Sequence, residues 1–585
     1  MINSHEKKFK NRTAVLLFFL SLWLGAIIFR LIQLQVINHA QLKTSAIKQT
    51  ENITPIFPKR GSIYDRSGNI LARSLPSYSV FYSLFKEEPL ENHLKKIEKL
   101  RKTLHLTERE VREITSRIKD KKTFIWIKRK ISPELSEKVK ELHLSGVYLK
   151  EESKRFYPYG TLAAHVIGRV NIDDVGASGI EYKYNSILEG EKGKCLILKD
   201  AKRREYRVEV LKESIPGFDI TLTLDETIQY ISEKELEKTI RKTQAKWGCI
   251  IVSRPSTGEI MAMANFPTFD LNSKSPTLFQ VDRNKAIHHT FDPGSTFKIV
   301  TASAAIEFHK VRFNDSFDCS EGAFTIPGTY KKIRDYRRFG ILTFPEVIIH
   351  SSNVGTIQIG QQVGEDTLFH AIKAFGFGQE TGIDLPAEER GILNPPNTWS
   401  KFSLASLSIG YEISVTAIQL LQATNIIANE GMLIPPKVVL STSLTGEKDT
   451  GDFPEAHRVI SPETAKTVSY LLQKAVQEGT GTSAQIDEYT VAGKTGTAQK
   501  FDLDIKQYSS ESHMSSFVGF VPAENPAISI VVVIDDPKGQ YYGGHVAAPL
   551  FRDVAQQVLR YLKVPSKTNP KSQLITAKNW RTNTQ

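Results

Sequence analysis

The segment Phe-Asp-Pro-Gly-Ser-Thr-Phe-Lys, residues 291–298, joins a Pro-Gly turn to an apolar run with helical spacing. This pattern predicts that Ser295 lies in the first turn of a helix, with Lys298 on the same face. Serine needs a base to become a nucleophile, and lysine can be that base when burial lowers its pKa. The helix amino terminus also offers N–H groups to the oxyanion that forms when a carbonyl is attacked. The segment therefore indicates acyl transfer, although Ser-x-x-Lys alone is a common chance pattern.

Two further motifs follow in the chain, Ser351-Ser352-Asn353 and Lys494-Thr495-Gly496-Thr497. Each has an ordinary alternative, because the first resembles a turn or helix cap and the second a hairpin corner. A phosphate loop ending at residues 493–495 is excluded, since Glu488 occupies the position of the required glycine. Three weak motifs in the order that one acyl-transfer site requires are jointly strong.

The polar side chains of these motifs suit a peptide substrate. Ser351 can pass a proton between an amine and the lysines, and Asn353 offers both a donor and an acceptor to an amide. Lys494 is expected to be a fixed positive charge that holds a carboxylate and polarises the Ser351 hydroxyl.

The rest of the third motif suggests how the substrate is held. Thr495 and Thr497 supply hydroxyls for a terminal carboxylate, and Gly496 is expected to leave room for a substrate backbone. The N–H groups of Thr497 and Ser295 are predicted to form an oxyanion hole.

The composition of the 585-residue chain is that of a folded protein, with 40% hydrophobic and 24% charged residues. The net charge of +13 raises the question of nucleic acid. However, the basic residues are scattered among acidic ones, and even the densest stretch, residues 119–130, is flanked by glutamates. We expect no nucleic-acid partner, and a basic surface facing anionic lipid or a wall polymer is the simpler explanation.

The cysteines and histidines give no sign of a metal or cofactor. Cys195, Cys249 and Cys319 lack zinc-ligand spacing and are predicted to be structural. His288 and His289 are adjacent, so their side chains point apart on a regular element. We expect neither a cofactor nor a metal.

An apolar run near the amino terminus predicts a transmembrane anchor at residues 14–36, with Arg30 reaching toward the outer interface. Basic residues within 1–13 place that segment in the cytoplasm by the positive-inside rule. A cleaved signal peptide is the alternative, but its apolar core is shorter and we find no small-x-small site after the run. The rest of the chain is therefore expected outside the cytoplasmic membrane.

Residues 37–217 are predicted to be a first module. It starts with a strand, a turn and a strand over residues 60–72. Apolar spacing predicts one helix through residues 104–118 and another through 135–142. Glycine-rich loops follow at 155–181, where His165 is interpreted as structural.

Residues 218–564 are predicted to be a second module of the α/β (α+β) class, an antiparallel sheet sandwiched by helices. The polar tail at 565–585 is predicted to be disordered. The predicted elements of the second module are strands at 219–224, 249–253, 259–264, 515–521 and 528–534, and helices at 229–242 and 548–562.

The chain resembles class B, monofunctional penicillin-binding proteins over nearly its whole length. The resemblance rests on the three motifs and on the segments at 60–72, 155–181, 409–416 and 541–544. It implies a non-catalytic pedestal, or dimerisation, domain that binds partners, followed by a transpeptidase domain. By resemblance, Ser295 is acylated by the D-Ala-D-Ala end of a peptidoglycan stem peptide with Lys298 as the base. An amine of a second stem then completes the cross-link, and β-lactams are covalent inhibitors.

Residues 410–416 and 292–298 are similar to those of division-type, septal enzymes, except that Asp292 replaces a glutamate. Because few residues precede the pedestal, we expect a separate membrane glycosyltransferase and division proteins as partners. Three alternatives remain: an elongation-type enzyme, a β-lactamase or β-lactam sensor with the same motifs, and a scaffold in which catalysis is secondary. We find no convincing glutamate motif for the water that a β-lactamase uses.

Overall fold

The computed structural model describes residues 2–84, 88–199, 205–273, 283–326, 332–444, 447–449, 455–502 and 507–566. The predicted disordered tail lies outside the described residues from 567 onward. The chain separates into two compact units, residues 1–59 with 190–217, and residues 60–189 with 218–585.

The first unit contains the amino-terminal helix and a small sheet. The stretch Lys7–Ile37 is long and apolar enough to cross a membrane and includes the predicted anchor. Its described elements are helices Ile2–Ile32 and His39–Thr50, a π-helical turn Gln33–Ile37, and antiparallel strands Glu51–Ile56, Gly193–Lys199 and Glu205–Lys212.

The second unit begins with a seven-stranded sheet whose core side packs against three helices. Its strands are Ile63–Tyr64, Ile70–Ser83, Phe124–Ile131, Val147–Phe156, Asp219–Leu222, Val439–Leu444 and Glu447–Asp449, and the helices are Leu90–Leu104, Glu108–Lys119 and Pro133–Glu141. Short helices follow at Ala164–Ile167, Gly179–Lys183 and Asn185–Leu188.

The single helix predicted through residues 104–118 is wrong, because the chain breaks between two helices there. His105 takes a left-handed φ of 50°, and Thr107 caps the second helix in a capping box with Glu110. The strand Phe124–Ile131 was not predicted, since its lysines and arginine hide its alternation. The predicted strand after residue 218 exists, but it pairs with Ile63–Tyr64 and Val439–Leu444 rather than with the sheet of the second module.

A five-stranded antiparallel sheet forms the centre of the rest of this unit, in the order β2-β1-β5-β4-β3. All eight residues of β5 are buried, because helices cover both faces of the sheet. The strands are β1 (Trp247–Arg254), β2 (Glu259–Phe266), β3 (Ala492–Asp502), β4 (Gln507–Val521) and β5 (Ile528–Asp535). The predicted sheet between helices is confirmed.

The helices of this sandwich carry or support the site motifs. α1 and α6 pack on one face of the sheet and α4 on the other. They are α1 (Glu226–Thr243), α2 (Lys298–Glu307), α3 (Asn353–Val363), α4 (Ala417–Ala428), α5 (Pro462–Gln477) and α6 (Gly543–Tyr561). α6 begins five residues before the predicted start, with Pro549 inside it.

Smaller elements complete the unit. They are helices Lys285–His288, Phe344–Ile349, Glu365–Ala374 and Ser403–Ser408, and the two-stranded pairs Ser316–Asp318 with Ile341–Thr343, Ala323–Thr325 with Lys332–Arg334, and Met432–Leu433 with His457–Arg458.

Candidate active site

Ser295 lies in a 3-10 turn, Gly294–Phe297, that leads directly into α2. A neighbouring segment holds this turn by backbone hydrogen bonds, because Phe291 and Val415 exchange N–H and C=O at 2.9 Å and the Gly294 N–H donates to Gly410 O at 3.0 Å. A Cβ on Gly410 would meet Gly294 O at 2.2 Å, so the approach requires glycine. The segment 409–416 thus fixes the position of Ser295 through the backbone on the amino-terminal side of the serine.

Lys298 is completely buried beneath the site. Its Nζ donates to Ser351 O at 2.7 Å and to Asn353 Oδ1 at 2.8 Å, and it lies 3.3 Å from Ser351 Oγ. Burial, and next the charge of Lys494, lower the pKa of Lys298 well below its usual value. A neutral amine has two hydrogens, which these two acceptors can take, and one lone pair that remains available for a proton.

Ser351 connects the two lysines of the site. It takes a left-handed φ of 58°, uncommon for serine. Its hydroxyl accepts a hydrogen bond from Lys494 Nζ at 2.9 Å. Ser351 therefore lies between the two buried lysine nitrogens, close enough to pass a proton between them.

Lys494 is not the fixed charge that we expected. Burial lowers the pKa of Lys494 to about 7, so its charge changes near neutral pH. The two amines repel each other when both are charged, and the charge on Lys494 further lowers the pKa of Lys298. When the pair holds one proton, we expect Lys494 to carry it.

Asp335 supports the second motif, and sequence reasoning missed it. Its carboxylate accepts from the Ser352 hydroxyl at 2.7 Å, from the Val354 N–H at 3.2 Å and from the Asn353 N–H. Ser352 is also the N-cap of α3, since its hydroxyl accepts from the Gly355 N–H at 3.0 Å. The helix-cap interpretation is right for Ser352, and the cap leaves Ser351 and Asn353 beside Lys298.

The third motif lies on β3, where Gly496 has a different purpose from the one predicted. A Cβ there would meet Ser516 Oγ at 2.2 Å and Thr296 Cγ2 at 2.8 Å, so the space is filled by the protein itself. Glycine lets the nucleophile turn pack against the strand. It does not leave room for a substrate.

The two threonines of the third motif are fixed by neighbours. Thr495 Oγ1 lies 2.6 Å from Thr480 Oγ1. Thr497 Oγ1 accepts from the Gly543 N–H at 2.9 Å, which leaves the Thr497 hydroxyl hydrogen free to donate.

A cavity of about 630 Å³ opens over these residues. The predicted residues that line it are Ser295, Ser351, Asn353, Thr495 and Thr497, while Lys298 and Lys494 are buried beneath. Aromatic side chains that we did not predict form part of the wall, among them Tyr336, His513, Tyr541, Tyr542 and His545. The His513 and Tyr541 rings are stacked, with centroids 3.9 Å apart. Of these, only the pair 541–542 lies in a segment that the sequence singled out.

Two family models match the chain, the penicillin binding protein transpeptidase domain over residues 248–556 and the penicillin-binding protein dimerisation domain over residues 55–222. The chain is a class B penicillin-binding protein. The predicted fold class and family are confirmed.

Known penicillin-binding proteins are similar over most of this chain. Stage V sporulation protein D of Bacillus subtilis is 35% identical over 93% of this chain and 85% of that protein. Peptidoglycan D,D-transpeptidase FtsI of Escherichia coli is 30% identical over 96% of this chain and 93% of that protein. The crystal structure of penicillin binding protein 3 from Mycobacterium tuberculosis, complexed with aztreonam, superposes with a TM-score of 0.69 at 28% identity, covering 88% of this chain and 98% of that one.

Proposed function

We propose that this penicillin-binding protein is a peptidoglycan D,D-transpeptidase that cross-links stem peptides through an acyl-enzyme on Ser295. One observation carries the proposal: two buried lysines, 298 and 494, share the Ser351 hydroxyl at the floor of the cavity that Ser295 lines. Burial supplies a neutral amine as the base and a second amine that keeps the proton.

In the acylation step, the Ser295 hydroxyl attacks the carbonyl between the two D-alanines. Lys298 Nζ takes the serine proton, and Ser351 passes a proton to the nitrogen of the leaving D-alanine. The C–N bond breaks, free D-alanine leaves, and the stem peptide remains as an ester on Ser295. The N–H groups of Ser295 and Thr497 stabilise the oxyanion.

The terminal carboxylate of the substrate is bound by the third motif, on the side of Ser351 away from Lys298. Thr495 and Thr497 line its place and Lys494 lies buried beneath them. A bound carboxylate favours the protonated form of Lys494. Asn353 bonds the substrate amide.

In the second step, the amine of a neighbouring stem attacks the ester carbonyl, gives up its proton through Ser351 and Lys298, and releases Ser295. A β-lactam acylates Ser295 through the same first step, in which the serine attacks the carbonyl of the lactam ring. Its amine stays tethered after ring opening, so no leaving group vacates the site for the acceptor.

The proposed setting is septal wall synthesis during division. The residues at 410–416, which hold the nucleophile turn, are similar to those of division-type enzymes, and a relative is named FtsI. Residues 1–13 lie in the cytoplasm, 14–36 span the cytoplasmic membrane, and the pedestal (37–217) and transpeptidase domain (218–564) lie outside. The protein works with a membrane glycosyltransferase and with division proteins.

A fluorescent penicillin tests the nucleophile. Wild-type protein is expected to form a covalent adduct, and Ser295→Ala is expected to form none. The matched control is Ser303→Ala on α2, whose buried hydroxyl bonds only to Ile299 O among the described residues. Full labelling of Ser295→Ala would contradict the proposal.

A further inference from the structure

Four aromatic rings, two of them exposed and two half-buried, form a patch on three neighbouring strands of the seven-stranded sheet, here called the aromatic face. Its members are Phe81, Phe124, Trp126 and Tyr148. Phe81 is paired with Trp126 on one side and with Tyr148 on the other, so three rings form a row across the strands. The Phe81 centroid lies 5.4 Å from that of Tyr148 and 4.9 Å from that of Phe124.

The hydrophobic core does not need these rings. The alternate residues of the same strands, among them Val80, Tyr82 and Ile125, face the core and are fully buried. Phe124 and Tyr148 keep 49% and 47% of their surface exposed. The outer side of such a sheet is normally polar, so a continuous group of aromatic rings there indicates a binding surface.

Charged groups lie along one edge of the aromatic face. The Arg129 guanidinium lies 5.0 Å from the Trp126 ring centroid, and Lys150 Nζ lies 6.0 Å from it. Both cations also contact Glu152, at 3.1 and 3.6 Å. The strand that carries Trp126 and Arg129 belongs to the basic stretch at 119–130, to which the proposed mechanism gives no part.

We propose that the aromatic face binds a glycan strand of peptidoglycan, an inference that rests on the proposed function for the identity of the polymer. A pyranose ring has an apolar C–H face, which packs on an aromatic ring, and an edge of hydroxyls. Arg129, Lys150 and Glu152 offer fixed donors and acceptors to those hydroxyls.

The charged residues at the edge of the aromatic face are already paired with acidic side chains, so a ligand there must offer hydrogen bonds rather than an opposite charge. Burial removes water from such groups, which then need new hydrogen-bonding partners. A sugar supplies these partners, because hydroxyl groups surround the apolar C–H face of each ring. The aromatic face would keep the growing polymer on the enzyme while stem peptides enter the Ser295 cavity.

The test is the binding of full-length protein, in detergent, to immobilised glycan strands stripped of stem peptides. The variant is the double substitution Phe124→Ser with Tyr148→Ser, at exposed positions. The control is Tyr230→Ser on α1, whose ring is 57% exposed and has Lys234 Nζ at 5.8 Å but no aromatic neighbour among the described residues. We expect the double variant to bind about tenfold more weakly, and Tyr230→Ser to bind like wild type.

Wild-type binding by the double variant, or equal loss in Tyr230→Ser, would overturn the inference. So would wild-type protein that binds only strands with stem peptides, or a double variant that keeps glycan binding but loses a protein partner. Penicillin labelling of Ser295 separates the two proposals. Its absence in wild type contradicts the proposed function, whereas wild-type glycan binding by a labelled double variant contradicts only this inference.

Discussion

Replacing Asp335 by alanine is expected to lower both the stability and the acylation rate of this penicillin-binding protein. The carboxylate accepts two backbone N–H groups of α3 and the Ser352 hydroxyl. Losing a helix cap lowers the free energy of unfolding by about 0.5–2 kcal/mol. Because the charged hydrogen bond to Ser352 is lost as well, we expect a total decrease of about 2–3 kcal/mol. Since this cap holds Asn353 and the adjacent Ser351, we also expect acylation to slow about 10- to 100-fold.

The pH profile of the variant has a defined direction. Lys298 must be neutral to act as the base, so the acylation rate rises with pH through the pKa of Lys298. The charge of Asp335 raises that pKa against the larger effects of burial and Lys494. Removing Asp335 therefore moves the acid limb of the profile to lower pH.

The assays are urea unfolding and the second-order rate constant for a fluorescent penicillin between pH 5 and 9. Asp225→Ala is the matched control, because Asp225 caps α1 by accepting from the N–H groups of Thr227 and Ile228 at 3.0 and 3.2 Å. It is expected to lose similar stability and to acylate normally. The reasoning is refuted if Asp335→Ala acylates at the wild-type rate, or if Asp225→Ala is slowed equally.

Three further predictions concern the lysines and the nucleophile turn. Lys298→Met is expected to slow penicillin acylation by about 10²- to 10⁴-fold, the usual contribution of a general base, and a smaller loss would give that role to another group. Burial lowers the pKa of Lys494 to about 7. As its charge is lost above that pH, KM for D-Ala-D-Ala peptides is expected to rise. Lys494→Gln is expected to have a high KM that does not change with pH in this range. Gly496→Ala is expected to destabilise the fold by about 1–3 kcal/mol through overpacking and to slow acylation, whereas Gly340→Ala, with open space around its Cβ position, is expected to change neither. Unchanged stability in Gly496→Ala would show that the turn is not packed as described.

The sequence predicted well which helix starts and strand carry the three motifs. Ser-x-x-Lys, Ser-x-Asn and Lys-Thr-Gly each lie at the start of a helix or on a strand, so local patterns place them correctly. The buried central strands were predicted because long apolar runs have no other stable place in a soluble domain. The place of each motif in the fold was therefore readable from the residues themselves.

The remaining features depend on contacts between residues distant in sequence. Asp335 precedes Ser351 in a segment without a motif, and only the fold brings its carboxylate to the start of α3. The charge state of Lys494 follows from complete burial, which a strand pattern does not reveal. Gly496 was assigned to the substrate because nothing in the sequence shows that Thr296 and Ser516 fill its space.

Two errors in the fold have local causes. The helix predicted through residues 104–118 ignored Thr107 and Glu110, a capping box that was visible in the sequence. The early start of α6 was missed because Pro549 is typical of a helix start, whereas here the helix begins at Gly543 and the proline lies inside it.

The most direct test of the account is the mass of the acyl-enzyme formed with a thioester donor. In this donor the last acyl residue of the stem peptide is D-alanine and the leaving group is a thiol. We expect one adduct, on the peptide that contains Ser295, with the mass of the donor minus its leaving group. An added D-amino acid is expected to remove the adduct and to appear joined to the donor peptide. An adduct on another residue, or an adduct that only water removes, would contradict transpeptidation through Ser295.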